Sequence, residues 1–120
     1  MESYPVSEVQ KNSATLLGRV ALHRQIVVLT YHERRDESVI LVHPDLWHEL
    51  CAKFPVEQDK ILPPVGVKKA REDFAELRED AVYNGCHTMI THRGREHAVV
   101  VPVPWARKAV PEVQRWYEAS

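Results

Sequence analysis

Glycine and cysteine are both scarce in this chain, with four glycines and two cysteines among 120 residues. No P-loop, GxSxG or dinucleotide-binding glycine pattern occurs, so the backbone cradles those motifs build around phosphates and nucleophiles are missing. Cys51 and Cys86 stand far apart without a CxxC, and two buried thiols in a cytosolic chain are the expectation. No apolar stretch approaches the length of a bilayer span. The opening "MESYPVSEVQ" has neither a basic start nor an apolar signal core, which points to a cytoplasmic protein rather than a secreted one. A charge excess is lacking too. The formal net charge is -1 and the pI is near 6.6, unlike a strongly basic nucleic-acid binder, so any DNA contact has to rest on a local patch.

What is present suffices for a packed core. The chain is 44% hydrophobic and 28% charged, the composition of one domain or of two very small ones. Its main feature is a repeat. A shift of 61 positions places Val6 on Val67, Ala14 on Ala75, Leu16 on Leu77 and Thr30 on Thr91, and past the hairpin turn a shift of 59 places Val42 on Val101. Few residues are identical, but the order of elements recurs: an extended start, an amphipathic helix, a β-hairpin, and a helix led by proline.

In the first half, Ser7 and Gln10 have the spacing of a capping box, and Val9, Leu16, Leu17 and Val20 form a helical stripe. "QIVVLTY" and "SVILVH" are β-branched runs suited to strands, and Pro44 can open the next helix. In the second half, Ala70, Phe74, Leu77, Ala81 and Val82 share a helix face, Asn84-Gly85 supplies a left-handed stop, and "HTMITHRGREHAVVVPV" reads as the hairpin. Pro104 opens the last helical stretch, and Pro111 breaks it so that a short final helix begins there. The predicted organisation is a first unit over 1–53, a linker over 54–64 rich in proline, and a second unit over 65–120. The second turn is short, with Gly94 free to take a positive φ. The first, "HERRDE", is two residues longer and polar.

The segment "VGVKKAREDFAEL…NGCHTMITHRGREHAVVVPV" resembles the Phd/YefM antitoxin family, chiefly through Lys69-Ala70-Arg71 and Thr91 to Gly94. "YPVSEVQKNSATLL…VVLTYHERRDESVILVHPDLW" is similar to a second copy over roughly Tyr4 to Leu50. The resemblance implies an α+β fold in which two Phd/YefM-like units pair as a pseudo-dimer, with an antiparallel sheet and packed helices. It also implies a cytoplasmic bacterial repressor that binds operator DNA through basic residues at the start of the first helix and after the first strand. A tail that wraps a toxin partner is the family's other attribute, so a toxin-neutralising antitoxin or protein-interaction module is the alternative. Pairing within one chain and a homodimer are both open at this stage.

Carried onto this sequence, the helix-start arginine is Arg71 in the second unit and Gln10 in the first. The residue after the strand threonine is His92, beside Arg93, in the second unit and Tyr31 in the first. Arginine holds phosphate or guanine bidentately, whereas glutamine neutralises no phosphate. DNA contacts are therefore expected mainly from Lys68, Lys69, Arg71, His92, Arg93 and Arg95, with Lys11, Arg34 and Arg35 as the cations the first unit can add. Trp105, Val113, Trp116 and Tyr117 are the candidate partner-binding residues of the tail, against the alternative that they fold back over the sheet.

No metal site is expected from the seven histidines: side chains alternate along a strand, so His87 and His92 point opposite ways unless a bulge intervenes, "HELCA" lacks the second histidine of a zinc helix, and Cys86-His87 offers two ligands where structural zinc takes four. No cofactor is expected. Cys86 lacks an oxyanion loop and reads as a small buried hydrophobe, so no enzymatic activity is expected.

Overall fold

A computed structural model describes residues 1–119. The β-branched runs form one six-stranded sheet in the order β1-β2-β3-β6-β5-β4, from β1 (Glu2–Pro5), β2 (Val27–Thr30), β3 (Val39–Val42), β4 (Ile61–Gly66), β5 (His87–His92) and β6 (Arg95–Pro102). The helices are α1 (Glu8–His23), α2 (Pro44–Lys53), α3 (Val67–Glu72), α4 (Phe74–Asn84), α5 (Val103–Ala109) and α6 (Pro111–Glu118). Strand side chains alternate between faces, so the sheet feeds two cores. Val27, Leu29, Leu41, Ile90 and Val100 meet α1, α3 and α4 on one face. Val28, Ile40, Met89, Val99 and Val101 meet α2, α5 and α6 on the other.

The strand order reads alike from either edge, and the details repeat. Tyr4 pairs with Leu29 as Val65 pairs with Ile90, each partner displaced by 61. The Thr30 and Thr91 hydroxyls donate to the Tyr4 and Val65 carbonyls, both at 3.3 Å. The first helix ends on Arg24 in the left-handed conformation (φ 54°) and the second on Gly85 (φ 67°). The next amides, of Gln25 and Cys86, then reach back to the carbonyls of Arg19 and Asp80. At the centre β3 pairs antiparallel with β6, with Ile40 opposite Val101 and Leu41 opposite Val100.

Four expectations are corrected. The sheet is mixed, because β1 and β4 run parallel to β2 and β5; each pair is joined through a helix, and such a crossover returns the chain in the same direction. Ser7 makes no side-chain cap, being already in the right-handed helical region (φ -60°, ψ -21°). The segment expected as linker is shorter than 54–64, since Ile61–Gly66 forms β4, with Pro63 and Pro64 at the point where its pairing with β5 shifts register. The amphipathic helix of the second half is two helices, broken at Asp73 (φ -116°, ψ 31°), and α1 kinks at the equivalent Asn12 (φ -130°, ψ 36°).

Gly85 and Gly94 take the expected positive φ, and Arg93 (φ 52°) precedes Gly94 in a two-residue turn closed by the His92–Arg95 pair, the usual tight hairpin geometry. The first turn repeats it with His32 (φ 47°) and Glu33 (φ 59°). Its extra length follows the turn, as a 3-10 helical turn over Arg35–Glu37.

Candidate nucleic-acid interface

The register of β4 against β5 sets Gly66 opposite Thr91. Helix α3 starts at the next residue, so its first turn lies beside the end of β5 and the Arg93-Gly94 turn. Ala70 is buried and anchors α3 to the core, while Lys68, Lys69 and Arg71 are exposed around it. His92, Arg93 and Arg95 are exposed at the turn. Among the described residues none of Lys68, Lys69, Arg71, Arg93 and Arg95 has an ion-pair partner. Of the acids beside them, Glu96 is engaged by His48 at 3.0 Å, while Glu72 and Asp73 are exposed. His92 stacks edge-on against His97, with ring centroids 5.3 Å apart. Burial, and then the charge of His92, hold His97 below the usual histidine range.

The equivalent surface of the first half differs in charge. Ser7, Glu8 and Gln10 stand where the second half has Lys68, Lys69 and Arg71, and Glu33 stands in place of Gly94. Lys11 is exposed. Arg34 is bound to Glu37 at 3.0 Å, and that hydrogen bond holds the Glu37 carboxyl below its ordinary range. Arg35 turns to the opposite end of the chain: it donates to the Ala119 carbonyl and lies over the Trp116 ring, 5.7 Å from its centroid. An open groove of about 640 Å³ runs from Gln10 past Tyr31 and Glu33 to Phe74 and Ala75, without a lysine or arginine on its lining.

Arg78 is a residue the sequence reading passed over. Its stripe position belongs to Leu17 in the first half, yet it is buried, donates to the Glu37 carbonyl at 2.9 Å and lies over the Tyr31 ring, 3.8 Å from its centroid. It thus fastens α4 of the second half to the hairpin loop of the first. Position within a helical stripe identified the core face, but an arginine there carries no signal of what it reaches across the fold.

The tail candidates are spoken for within the fold. Val113 is fully buried in the core shared with α2 and α5, which removes it as a surface anchor. Trp105 is half-buried and donates to the Phe54 carbonyl at 3.0 Å. Tyr117 donates to Asp36 at 2.7 Å, with Arg107 3.6 Å over its ring. Trp116 packs against the same core. The reason is amphipathicity: Val110, Val113 and Trp116 recur at helical spacing on α6 and its cap, and the sheet face beneath offers apolar surface to cover.

Burial pushes the thiols of Cys51 and Cys86 up, away from a reactive thiolate. Among the described residues no three His, Cys, Asp or Glu side chains gather as a metal set, and no helix is long and apolar enough to cross a membrane. Set against protein-family models, curated proteins and solved structures, the chain finds no match.

Proposed function

We propose that this chain is a DNA-binding transcriptional repressor of the Phd/YefM antitoxin type, built as a covalent pseudo-dimer and contacting operator DNA through its second half. The observation that carries this reading is the Gly66–Thr91 register, which brings the three cations of α3 and the two of the β5–β6 turn to one end of the sheet without ion-pair partners among the described residues. Lysine and arginine free of internal partners can replace the counterions of a phosphate backbone, and arginine can also read guanine in the major groove. The tail's packing into its own core supports this reading over toxin neutralisation.

Selection from a random duplex library, followed by gel-shift titration between roughly 50 and 200 mM salt, tests it. A short enriched site, affinity that falls steeply with salt, and a loss of roughly 1–3 kcal/mol in Arg71→Ala are expected. No enrichment, or an Arg71→Ala variant with unchanged affinity, overturns the assignment.

A further inference from the structure

The two halves also differ at the end of β5 opposite the basic patch. His87 begins β5, where the first half has Ile26. It is buried, with 2% of its surface exposed. Trp47 donates its indole N–H to His87 Nδ1 at 3.0 Å, so the neutral ring carries its proton on Nε2. Trp105 stacks edge-on against the same ring, with centroids 4.9 Å apart, and is itself held by its bond to the Phe54 carbonyl. The imidazole is therefore fixed in tautomer and orientation. Its Nε2–H has no partner among the described residues, and the ring lines an open cavity of about 500 Å³ where residues 54–60 cross from α2 to β4.

The cavity joins two kinds of surface. Phe54, Val56, Val82 and Trp105 give it apolar walls, and Lys53, Lys60 and Lys108 line it as well, with Glu57 as the single carboxylate. None of these lysines has an ion-pair partner among the described residues. The repeat shows that the fold does not require this arrangement. At the positions of His87, Trp105 and Lys108 the first half carries Ile26, Leu46 and Glu49, and it builds the same strand and helix with them. His87 Nε2 is not among the polar atoms sealed from solvent without a partner, so this donor opens on the cavity and is available to an acceptor there.

We infer that this cavity is a binding site for a small organic anion with a flat apolar body, such as an aromatic carboxylate. The carboxylate accepts from His87 Nε2–H and is neutralised by the surrounding lysines, and the apolar body lies against Trp105, Phe54 and Val82. The volume falls within the range of small-ligand sites, roughly 300–1,000 Å³. Desolvation keeps His87 neutral near pH 7, its pKa drawn down to about 4, so the ring acts there as a fixed hydrogen-bond donor and the lysines supply the charge. The inference does not depend on DNA binding.

Isothermal titration of the full chain with 2-naphthoate, octanoate and the uncharged 2-naphthamide tests the site, with the Trp105 indole N–H resonance reporting location. Naphthoate is expected to bind and to shift that resonance, and naphthamide to bind at least tenfold more weakly. His87→Ile, which installs the residue of the equivalent position, and Lys108→Glu are each expected to weaken naphthoate about tenfold, the scale of a lost charge-assisted hydrogen bond or ion contact. Arg71→Ala should leave the titration unchanged. Failure of both anions to bind at millimolar concentration, or equal naphthoate affinity in wild type and Lys108→Glu, overturns the inference. Lys108 is exposed, so its variant keeps the test decisive if His87→Ile does not fold.

Discussion

Leu41 and Val100 face each other across the β3–β6 pair, and each occupies the position in its half that the other occupies in its own, 59 residues apart. A two-fold relation between the halves therefore passes between these two residues. Both are buried, at 1% and 0% exposure, in the core that α1, α3 and α4 share. The β3–β6 pairing joins the two halves within one chain, so it does not depend on concentration.

That arrangement should make the halves one cooperative unit. Leu41→Ala should cost about 2–5 kcal/mol, the range for a truncated core leucine. Urea unfolding followed by tryptophan fluorescence and by far-UV circular dichroism should give coincident single transitions, in the variant as in the wild type. Two separable transitions would mean that the halves fold independently. Light scattering at micromolar concentration should return a monomer mass.

The repeat locates stabilising changes. Glu33 holds a left-handed backbone (φ 59°) at the place where the second half has Gly94 (φ 76°). Glu33→Gly should stabilise the chain by about 1 kcal/mol, since glycine carries no Cβ penalty there. Arg24→Gly, at the position of Gly85, should gain less, because it gives up the exposed 2.9 Å pair with Asp45, which contributes about 0–1 kcal/mol. Thermal melts of both variants check the order.

Arg78 is expected to tie the first hairpin loop to α4. Arg78→Leu, which restores the residue type of the equivalent Leu17, should leave the core packed but release the Glu37 carbonyl and the Tyr31 ring. Hydrogen exchange over 31–38 should speed up, with a stability loss of about 1–3 kcal/mol, the cost of a lost bond to a charged donor. Unchanged protection of that loop would show that Arg78 does not hold it.

His87 sets a pH dependence. It is drawn down by burial from 6.5 to about 4, so between those values the unfolded chain binds a proton that the folded chain does not. Stability should be unaffected by this group above pH 6.5, fall as pH drops through the interval, and level off below about 4, for a total of up to about 3 kcal/mol. The groups around it are Trp47, Trp105, and the cavity's three lysines and Glu57. Subtracting the profile of His87→Ile from that of wild type isolates the contribution. Identical slopes in the two would contradict it.

The basic patch was legible because local rules place it. Ala70 falls in the apolar stripe of its helix, which turns Lys68, Lys69 and Arg71 outward, and Gly94 marks a tight turn that exposes Arg93. The fate of Arg34 and Arg35 was not legible, since their partners Glu37 and Ala119 are chosen by how the inserted loop folds and where the last helix docks. The His87 site was hidden for the same reason. Alternation along β5 assigns His87 a face, but Trp47 and Trp105 reach its ring, and Lys60 lines the cavity beside it, from three separate segments.

The sequence by itself determined the repeat, the apolar faces and the Gly94 turn, because each depends on propensity and periodicity within a few residues. Only the tertiary structure decided that the sheet is mixed, that β3 and β6 join the halves, that the aromatic tail covers its own core, and that a neutral histidine faces a cavity lined by lysines. Those outcomes depend on pairing and packing between residues distant in the chain, which no local pattern encodes.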